Sequence, residues 1–198
     1  MNAYIQRMKD TITNYLGEAQ TTEKKIKNGY SVYQKEPAER EEKRLREELK
    51  KKRQTAEAQI LSIYEEAAKP ARDWGKLDGN KITADAKLLE GAGVTPEQFS
   101  ELLDRYADNY TMLDRLRAYG IARNEETRQK NKDPFLSPYN VSGIPAPDSR
   151  VKVWDRAKKE AINFLNIADG TGFNDPFTAS LARETADKAF EAFGSDIA

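Results

Sequence analysis

Apolar residues recur every three or four positions along the first third of the chain, a spacing typical of helices that pack along one stripe. A second repeat restarts in a different phase after Pro37, a residue that disfavours helix at the position before it. We therefore expect two helices that meet near residues 35–37, folded either as an antiparallel hairpin or as a kinked rod. The first repeat contains Ile5, Met8, Ile12, Tyr15, Ala19, Thr22, Ile26 and Tyr33, and the second contains Leu45, Leu49, Ala56, Ile60, Ile63 and Ala67.

The second of these helices is densely charged over residues 39–53. Four acid-to-base pairs at i,i+4 are expected to stabilise it by a few tenths of a kcal/mol each. Its basic end, Lys50 to Arg53, has the composition of a nucleic-acid patch, but the acids just upstream cancel its field. The segment therefore favours a solvated helix. The four pairs are Glu39–Lys43, Glu42–Arg46, Glu47–Lys51 and Glu48–Lys52.

The middle of the chain alternates turn residues with short amphipathic runs. Pro70, Gly75 and Gly79 predict an ordered corner after Ala67, while Gly91 and Gly93 predict the end of a short helix and a turn. Thr95-Pro96-Glu97-Gln98 predicts a helix start with a capping box. Asp108 or Asn109 is expected to cap the helix that follows. The inward faces of these two helices are predicted to carry Phe99, Leu102, Leu103 and Tyr106, then Met112, Leu113, Leu116, Tyr119 and Ile121.

A proline-rich stretch then interrupts the helical pattern and is predicted to form an extended arm. Its apolar side chains indicate that it wraps either its own domain or a partner protein, and both alternatives stay open. Two helices are expected after it: residues 150–168, capped by Ser149, and residues about 177–193, joined by a turn. Their inward faces would carry Val151, Trp154, Ala161, Leu165 and Ala168, then Phe177, Leu181, Ala189, Phe190 and Phe193.

These patterns predict an all-α protein, because no strand-like alternation is found along the sequence. We expect four regions: a long charged coiled-coil-like region at 1–71, a compact helical unit at 72–128, a Pro-rich arm at 129–149 and a C-terminal helix pair at 150–198.

Composition narrows the possible chemistry. The chain has no cysteine and no histidine, which excludes disulfides, thiolate catalysis and histidine-based triads or metal sites. Acidic and basic residues number 33 each, so no overall field attracts nucleic acid. The N-terminus lacks the apolar core of a signal peptide, and no apolar run is long enough for a membrane span. We expect a cytosolic protein without nucleic-acid or membrane partners.

The candidate catalytic features favour structural explanations. The "GAG" at 91–93 matches neither phosphate-loop pattern, and "DGTGFND" at 169–175 lacks the residue order of a calcium loop. Asp104, Asp108 and Asp114 also lack such a spacing and are expected to pair with Arg105, Arg115 and Arg117 nearby. We predict no catalytic residue, cofactor or metal, and a magnesium-dependent carboxylate enzyme is the least favoured class.

The segment "DWGKLDGNKITADAKLLEGAGVTPEQFSELLDRYADNYTMLDRLRAYG" resembles proteins encoded by tailed phages and prophages of Gram-positive bacteria. The matching parts are the W-x-x-x-D-G turn from Trp74 to Gly79, "DAKLL", the T-P-E helix start and "DNYTML". The resemblance covers residues 72–120, with only a general likeness over 1–71. It implies a role in the virion or its assembly, plausible for a protein encoded beside head genes.

Within that group, the resemblance implies a head scaffolding protein or a minor head or connector protein. Scaffolding proteins are typically helical and oligomeric, and many bind coat protein through a basic C-terminal helix. The last helix here departs from that pattern, since Arg183 and Lys188 face Glu184, Asp187 and Glu191.

We therefore predict a non-enzymatic assembly or structural protein that binds copies of itself and a capsid or portal protein. It would act in the host cytoplasm during assembly and could remain in the virion. The alternative is a small phage-encoded regulator that binds and inhibits a host protein. The predicted partner-binding residues are Ile5, Met8, Ile12, Tyr15, Phe135, Leu136, Tyr139, Phe190 and Phe193.

Overall fold

The computed structural model describes residues 3–91, 93–169 and 184–191. All regular secondary structure in these ranges is helical, which confirms the all-α prediction. Residues 184–191 are helical as well, while the predicted turn at 169–176 and the rest of the last predicted helix lie largely outside the described residues. The main helices are α1 (Ala3–Val32), α2 (Lys35–Trp74), α3 (Ala86–Glu90), α4 (Pro96–Arg105), α5 (Tyr110–Asn131) and α6 (Ser149–Asp169), with a 3-10 helix at Gly79–Lys81.

The chain divides into two compact units. The hairpin unit gathers residues 1–69 and 151–198, and the arm unit contains residues 70–150. The first and last of the four predicted regions thus share one unit, while the compact helical region and the arm share the other.

In the hairpin unit, α1 and α2 pack antiparallel, which decides between the two arrangements left open by the sequence. Ion pairs join them in reverse order: Arg7 with Glu66 at 2.7 Å, Glu18 with Lys52 at 2.6 Å and Glu23 with Arg46 at 3.0 Å. The break falls just before the predicted 35–37, because Pro37 lies in the first turn of α2. There its missing N–H leaves no intrahelical hydrogen bond unmade.

The predicted apolar repeats form the core of the hairpin, with Ile5, Met8 and Ile12 fully buried. Tyr33 departs from the prediction and is 58% exposed, because α1 ends one residue before it. Helix α6 packs here through Trp154, whose ring meets that of Tyr4 edge-on at 6.0 Å between centroids. Its other buried side chains are Ala157, Ala161, Phe164 and Leu165.

The charged face of α2 forms ion pairs both within the helix and across the hairpin. Of the predicted pairs, Glu42–Arg46 is present at 2.7 Å. Glu48 instead accepts from Arg44, and Lys52 reaches Glu18 on α1. Such exposed pairs contribute about 0–1 kcal/mol each, so they set the pairing of the helices more than their stability.

Two helix ends differ from the predictions. Helix α2 continues through Pro70 to Trp74, although the sequence predicts a corner after Ala67. A proline inside a helix loses one hydrogen bond and crowds the carbonyl four residues earlier, and burial of Trp74 in the arm unit outweighs this cost. Ser149 is the first helical residue of α6, whereas the sequence predicts it as the cap.

The arm unit contains the predicted capping box at the start of α4. The Thr95 hydroxyl accepts from the Gln98 N–H at 3.3 Å, and the Gln98 side chain accepts from the Thr95 N–H at 3.0 Å. Asn109 caps α5 by accepting from the N–H of Met112. Gly91 ends α3 in an extended conformation, so its role does not need a left-handed residue.

The core of the arm unit lies between α3, α4 and α5. Its buried side chains match the predicted inward faces, with Leu103 partly buried and Ile121 as the exception. Ile121 is 51% exposed because the inward position is taken by Gly120. Among the described helices, none combines the length and hydropathy needed to cross a bilayer.

Candidate functional site

One face of α5 holds the arm, residues 132–148, by its backbone. Three polar side chains on α5 are spaced seven and four positions apart, so they lie on the same face of the helix. Each donates a hydrogen bond to a main-chain carbonyl of the arm. They are Arg117, which reaches Ile144 and Pro145 at 3.0 and 2.9 Å, Asn124, which reaches Tyr139 at 2.8 Å, and Arg128, which reaches Leu136 at 3.0 Å.

Asn124 makes the most specific of these contacts. Its side-chain amide donates to the carbonyl of Tyr139, and its side-chain oxygen accepts from the N–H of the same residue at 2.9 Å. The side-chain amide thereby makes the same pair of hydrogen bonds to one arm residue that a neighbouring β-strand would make. Asn124 is only 3% exposed, so both of its hydrogen-bonding groups need these partners.

The ring of Tyr139 inserts between two other aromatic rings. It meets Phe99 edge-on at 5.4 Å and Tyr119 edge-on at 5.8 Å between centroids. Edge-to-face pairs of this kind add about 0.5–1.5 kcal/mol beyond the area they bury. The arm is thus fixed through a side chain as well as through its backbone.

The carbonyl of Val94 accepts hydrogen bonds from two tyrosine hydroxyl groups of this cluster. Tyr139 donates to it at 2.8 Å and Tyr119 at 3.3 Å. Burial, with a smaller contribution from the charge that Tyr119 would carry, raises the pKa of Tyr139 above its ordinary value. Tyr139 is therefore a neutral hydrogen-bond donor at physiological pH.

Gly120 lets the arm approach α5 closely. A Cβ atom at this position would lie 2.5 Å from Cγ1 of Val141 and 2.9 Å from the Phe99 ring. Contacts this short do not occur between real side chains, so no larger residue fits without displacing the arm or the ring. This explains why the helix presents glycine, instead of the adjacent Ile121, to the core.

The contacts along α5 leave one aromatic side chain in solvent. Phe135 is 89% exposed, while the loop that carries it is fixed at both ends. Lys132 adopts a left-handed conformation with φ of 52°, and the Asp133 carboxylate accepts from the N–H of Phe135 at 2.9 Å. Arg128 holds Leu136 on the other side. The result is a large apolar group presented on an ordered loop.

The predicted partner-binding residues fall into three groups. Ile5, Met8, Ile12, Tyr15 and Phe190 lie in the core of the hairpin unit, where they hold the helices of this chain together. Leu136 and Tyr139 are partly buried within the arm unit, and Phe135 is exposed. Phe193 lies outside the described residues.

Sequence reasoning missed the residues of α5 that hold the arm. Arg117, Gly120 and Asn124 lie among apolar core residues of this helix. A polar residue at the spacing of the helix core was the sequence signal that could have revealed their role. Asn124 continues the buried face seven positions after Arg117. That spacing indicates an amide that must find a partner inside the fold.

A cleft in the arm unit has a volume of about 440 Å³ and is lined by Leu88, Val94 and Leu102 with Lys87, Glu101 and Arg105 around it. Near it, Asp85 accepts from the Tyr106 hydroxyl at 2.7 Å and from Arg105 at 2.9 Å. These two donors hold the pKa of Asp85 below its ordinary 3.8. A carboxylate kept ionised between two donors tethers α3 to α4.

The aspartates considered for a metal site are dispersed. Asp108 accepts from Arg150 at 2.7 Å and Asp114 lies 3.8 Å from Arg117, while Arg105 pairs with Asp85. In the part of the chain that the structure describes, no three acidic side chains are grouped closely enough to hold a metal ion.

Comparison of the chain with protein-family models, curated proteins and solved structures gives no significant match.

Proposed function

We propose that this chain is a non-enzymatic structural or assembly protein of a tailed phage or prophage, such as a head scaffolding or minor head or connector protein. It would act by binding other proteins of the particle. The resemblance over residues 72–120 suggests the setting, and the observation that carries the proposal is the exposed Phe135 on its ordered loop.

The physical argument rests on preorganisation. A partner that receives Phe135 need not order the loop, because hydrogen bonds to Asp133 and Arg128 already do so. Binding energy is then not spent on fixing the backbone. Large aromatic side chains in such positions tend to dominate interface energies.

The partner we propose is the cognate capsid or portal protein, which would receive Phe135 in an apolar pocket. An apolar contact of this kind between two proteins needs no cofactor. It is compatible with a protein that acts in the host cytoplasm during assembly of the particle. Whether the protein then stays in the virion can be measured by mass spectrometry of purified particles.

The test is calorimetric titration of purified capsid and portal proteins with the full chain. Phe135→Ser is expected to weaken binding at least about tenfold, as truncation of an interface hot spot does. Ile121→Ser removes an exposed apolar side chain from the same unit and serves as the matched control, with binding expected to stay within about twofold.

Two results would overturn the proposal. One is the absence of binding to both purified proteins, and the other is equal affinity for wild type and Phe135→Ser. Tight, Phe135-dependent binding to a purified host enzyme with neither particle protein bound would instead support the alternative, a regulator that inhibits a host protein. Unchanged circular dichroism of each variant shows that its fold is intact.

A further inference from the structure

A short exposed segment links α5 to the rest of the arm. The residues from Lys132 to Phe135, hereafter the hinge, are exposed at every position. The backbone hydrogen bonds found here are local: the N–H of Asp133 donates to the Arg128 carbonyl at 3.2 Å, and the N–H of Leu136 donates to the Asp133 carbonyl at 3.4 Å. A change of conformation in the hinge therefore uncovers no buried side chain of the hinge itself.

The hinge also carries backbone strain. Lys132 has a φ of 52°, a left-handed conformation that costs any residue with a Cβ atom. Pro134 disfavours helical backbone at Asp133, so α5 cannot relieve the strain by continuing past Lys132. An open hinge, in which φ of Lys132 is negative and the chain leaves the face of α5, removes this cost. Short hinge loops under strain favour exchange of the following segment between copies.

The contacts that hold the arm can form equally well between two chains. Asn124 binds main-chain groups of the arm, and the face of α5 around Gly120 receives Val141. The ring of Tyr139 enters the space beside Phe99. The arm of a second copy has the same sequence, so it satisfies the same hydrogen bonds and fills the same space.

Helix α6 follows the arm and moves with it when the hinge opens. In the hairpin unit its Trp154 ring meets the ring of Tyr4 at 6.0 Å, and its Asp155 accepts from the Tyr64 hydroxyl at 2.6 Å. The hairpin unit of a second copy offers the same partners. The arm and α6 thus form one segment with matching sites in both units of another copy.

We propose that two copies of this chain exchange the arm and α6 by opening of the hinge. Tyr139 of each copy then packs beside Phe99 of the other, and the two-fold symmetry leaves no site for the arm empty. The inference goes beyond the function proposed above and does not rest on it, because the exchange uses the arm-binding face of α5 and not the side chain of Phe135.

Concentration decides between the two forms, since monomer and dimer make the same contacts outside the hinge. Interconversion should be slow, because the arm and α6 must leave their sites before they enter those of another copy. The exchanged dimer should therefore form when the chain refolds at high concentration, and it should then persist after dilution.

The first test is refolding of the full chain from urea at about 5 μM and at about 0.5 mM, followed by size-exclusion chromatography with light scattering. The wild type should be monomeric after the first and partly dimeric after the second. The isolated dimer should outlast dilution by hours, whereas a dimer held by ordinary surface contacts would dissociate at once. Lys132→Gly relieves the strain in the closed hinge and should lower the association constant about tenfold.

Lys130→Gly is the matched control for the hinge substitution. This residue lies inside α5, which is the same helix in both forms. The variant should therefore lose stability equally as monomer and as dimer, and its association constant should stay within about twofold of the wild type.

A mixture of two variants tests the exchange itself. A Cβ atom at Gly120 would lie 2.5 Å from Cγ1 of Val141, so Gly120→Ala crowds the arm and Val141→Ala makes room for it. In a mixed dimer of the two variants, one site is that of the wild type and the other combines both substitutions. The crowding is then relieved at both sites.

The two variants are refolded together, one of them isotope-labelled, and the dimers are counted by native mass spectrometry. Random pairing would make about half of the dimers mixed, and exchange of the arm should raise this fraction clearly above half. No other dimer brings residue 141 of one copy onto residue 120 of the other.

Three results would overturn the proposal. One is a wild type that stays monomeric after refolding at the higher concentration, which needs no variant to fold. Another is a dimer whose association constant is changed equally by Lys132→Gly and Lys130→Gly. The third is a mixture of the Gly120→Ala and Val141→Ala variants that pairs at random.

Discussion

Asn124 on α5 and Tyr139 on the arm exchange two hydrogen bonds, with the side chain of the first replacing a strand partner for the backbone of the second. Because Asn124 is almost completely buried, neither of its polar groups can turn to water if the arm leaves. This pair connects the helical core to the segment that presents Phe135.

Asn124→Ala is expected to lower the free energy of unfolding by about 2 kcal/mol, because the substitution leaves the partly buried N–H and carbonyl of Tyr139 without their partners. Urea denaturation measures this change. Hydrogen exchange should show faster exchange at the Tyr139 amide in particular. Asn131→Ala, at an exposed position at the end of the same helix, should change stability by no more than about 0.5 kcal/mol. Equal effects of the two substitutions would contradict this role of Asn124.

Gly120→Ala should destabilise the protein by about 1 kcal/mol even though alanine is the better helix former. The gain in helix propensity of about 1 kcal/mol is exceeded by overpacking against Val141 and the Phe99 ring. Gly29→Ala is the matched control within α1, because the nearest atom to its new Cβ, on Tyr33, is 3.9 Å away. That variant should gain up to about 1 kcal/mol.

A double-variant cycle locates the cause of the Gly120 effect. If the cost arises from crowding by Val141, then Val141→Ala in the Gly120→Ala background should cost less than it does in the wild type. Coupling between residues in contact is typically about 0.5–3 kcal/mol. Additive effects would show that the arm does not pack on α5 as described.

The helices could be predicted from the sequence because their signals are local. The spacing from Ile5 to Ile26 and the Thr95–Gln98 box depend only on periodicity and capping, and both are confirmed. The extension of α2 past Pro70 was missed because burial of Trp74, a tertiary effect, outweighs the local cost of proline.

The arm could be predicted only as an extended apolar segment. Whether it wraps its own unit depends on Asn124 and Gly120, whose roles appear when residues 15 to 21 positions apart in sequence meet in space. Composition could not predict that Phe135 is exposed while Tyr139 is partly buried, because both are aromatic residues that follow a proline.

Tyr139 should make the stability of the protein depend on alkaline pH. Its pKa is raised in the folded chain above the ordinary 10.0, so the folded state holds the proton more tightly than the unfolded state. The stabilisation is therefore complete below about pH 10 and is lost as the pH rises through the folded-state pKa. Tyr139→Phe should cost about 1 kcal/mol at neutral pH, through loss of the bond to Val94, and should flatten this alkaline decline.

Denaturation of wild type and Tyr139→Phe at a series of pH values from neutral to alkaline measures the effect, and absorbance of the ionised phenol follows the titration directly. An equally steep alkaline decline in both proteins would assign it to another group.

Lys132 offers a substitution that should stabilise the start of the arm. It is a lysine with φ of 52°, and among the described residues no other non-glycine residue has a positive φ. This conformation costs an L-residue about 1–2 kcal/mol, whereas glycine adopts it freely but loses more entropy on folding. Lys132→Gly should therefore raise the free energy of unfolding by up to about 1 kcal/mol. Lys130→Gly, two residues earlier inside α5, should lower it by about 1 kcal/mol because the position is helical. Thermal and urea denaturation of the two variants measure whether the free energy of unfolding rises in the first and falls in the second. Destabilisation by both would mean that Lys132 gains from its side chain more than it loses in backbone strain.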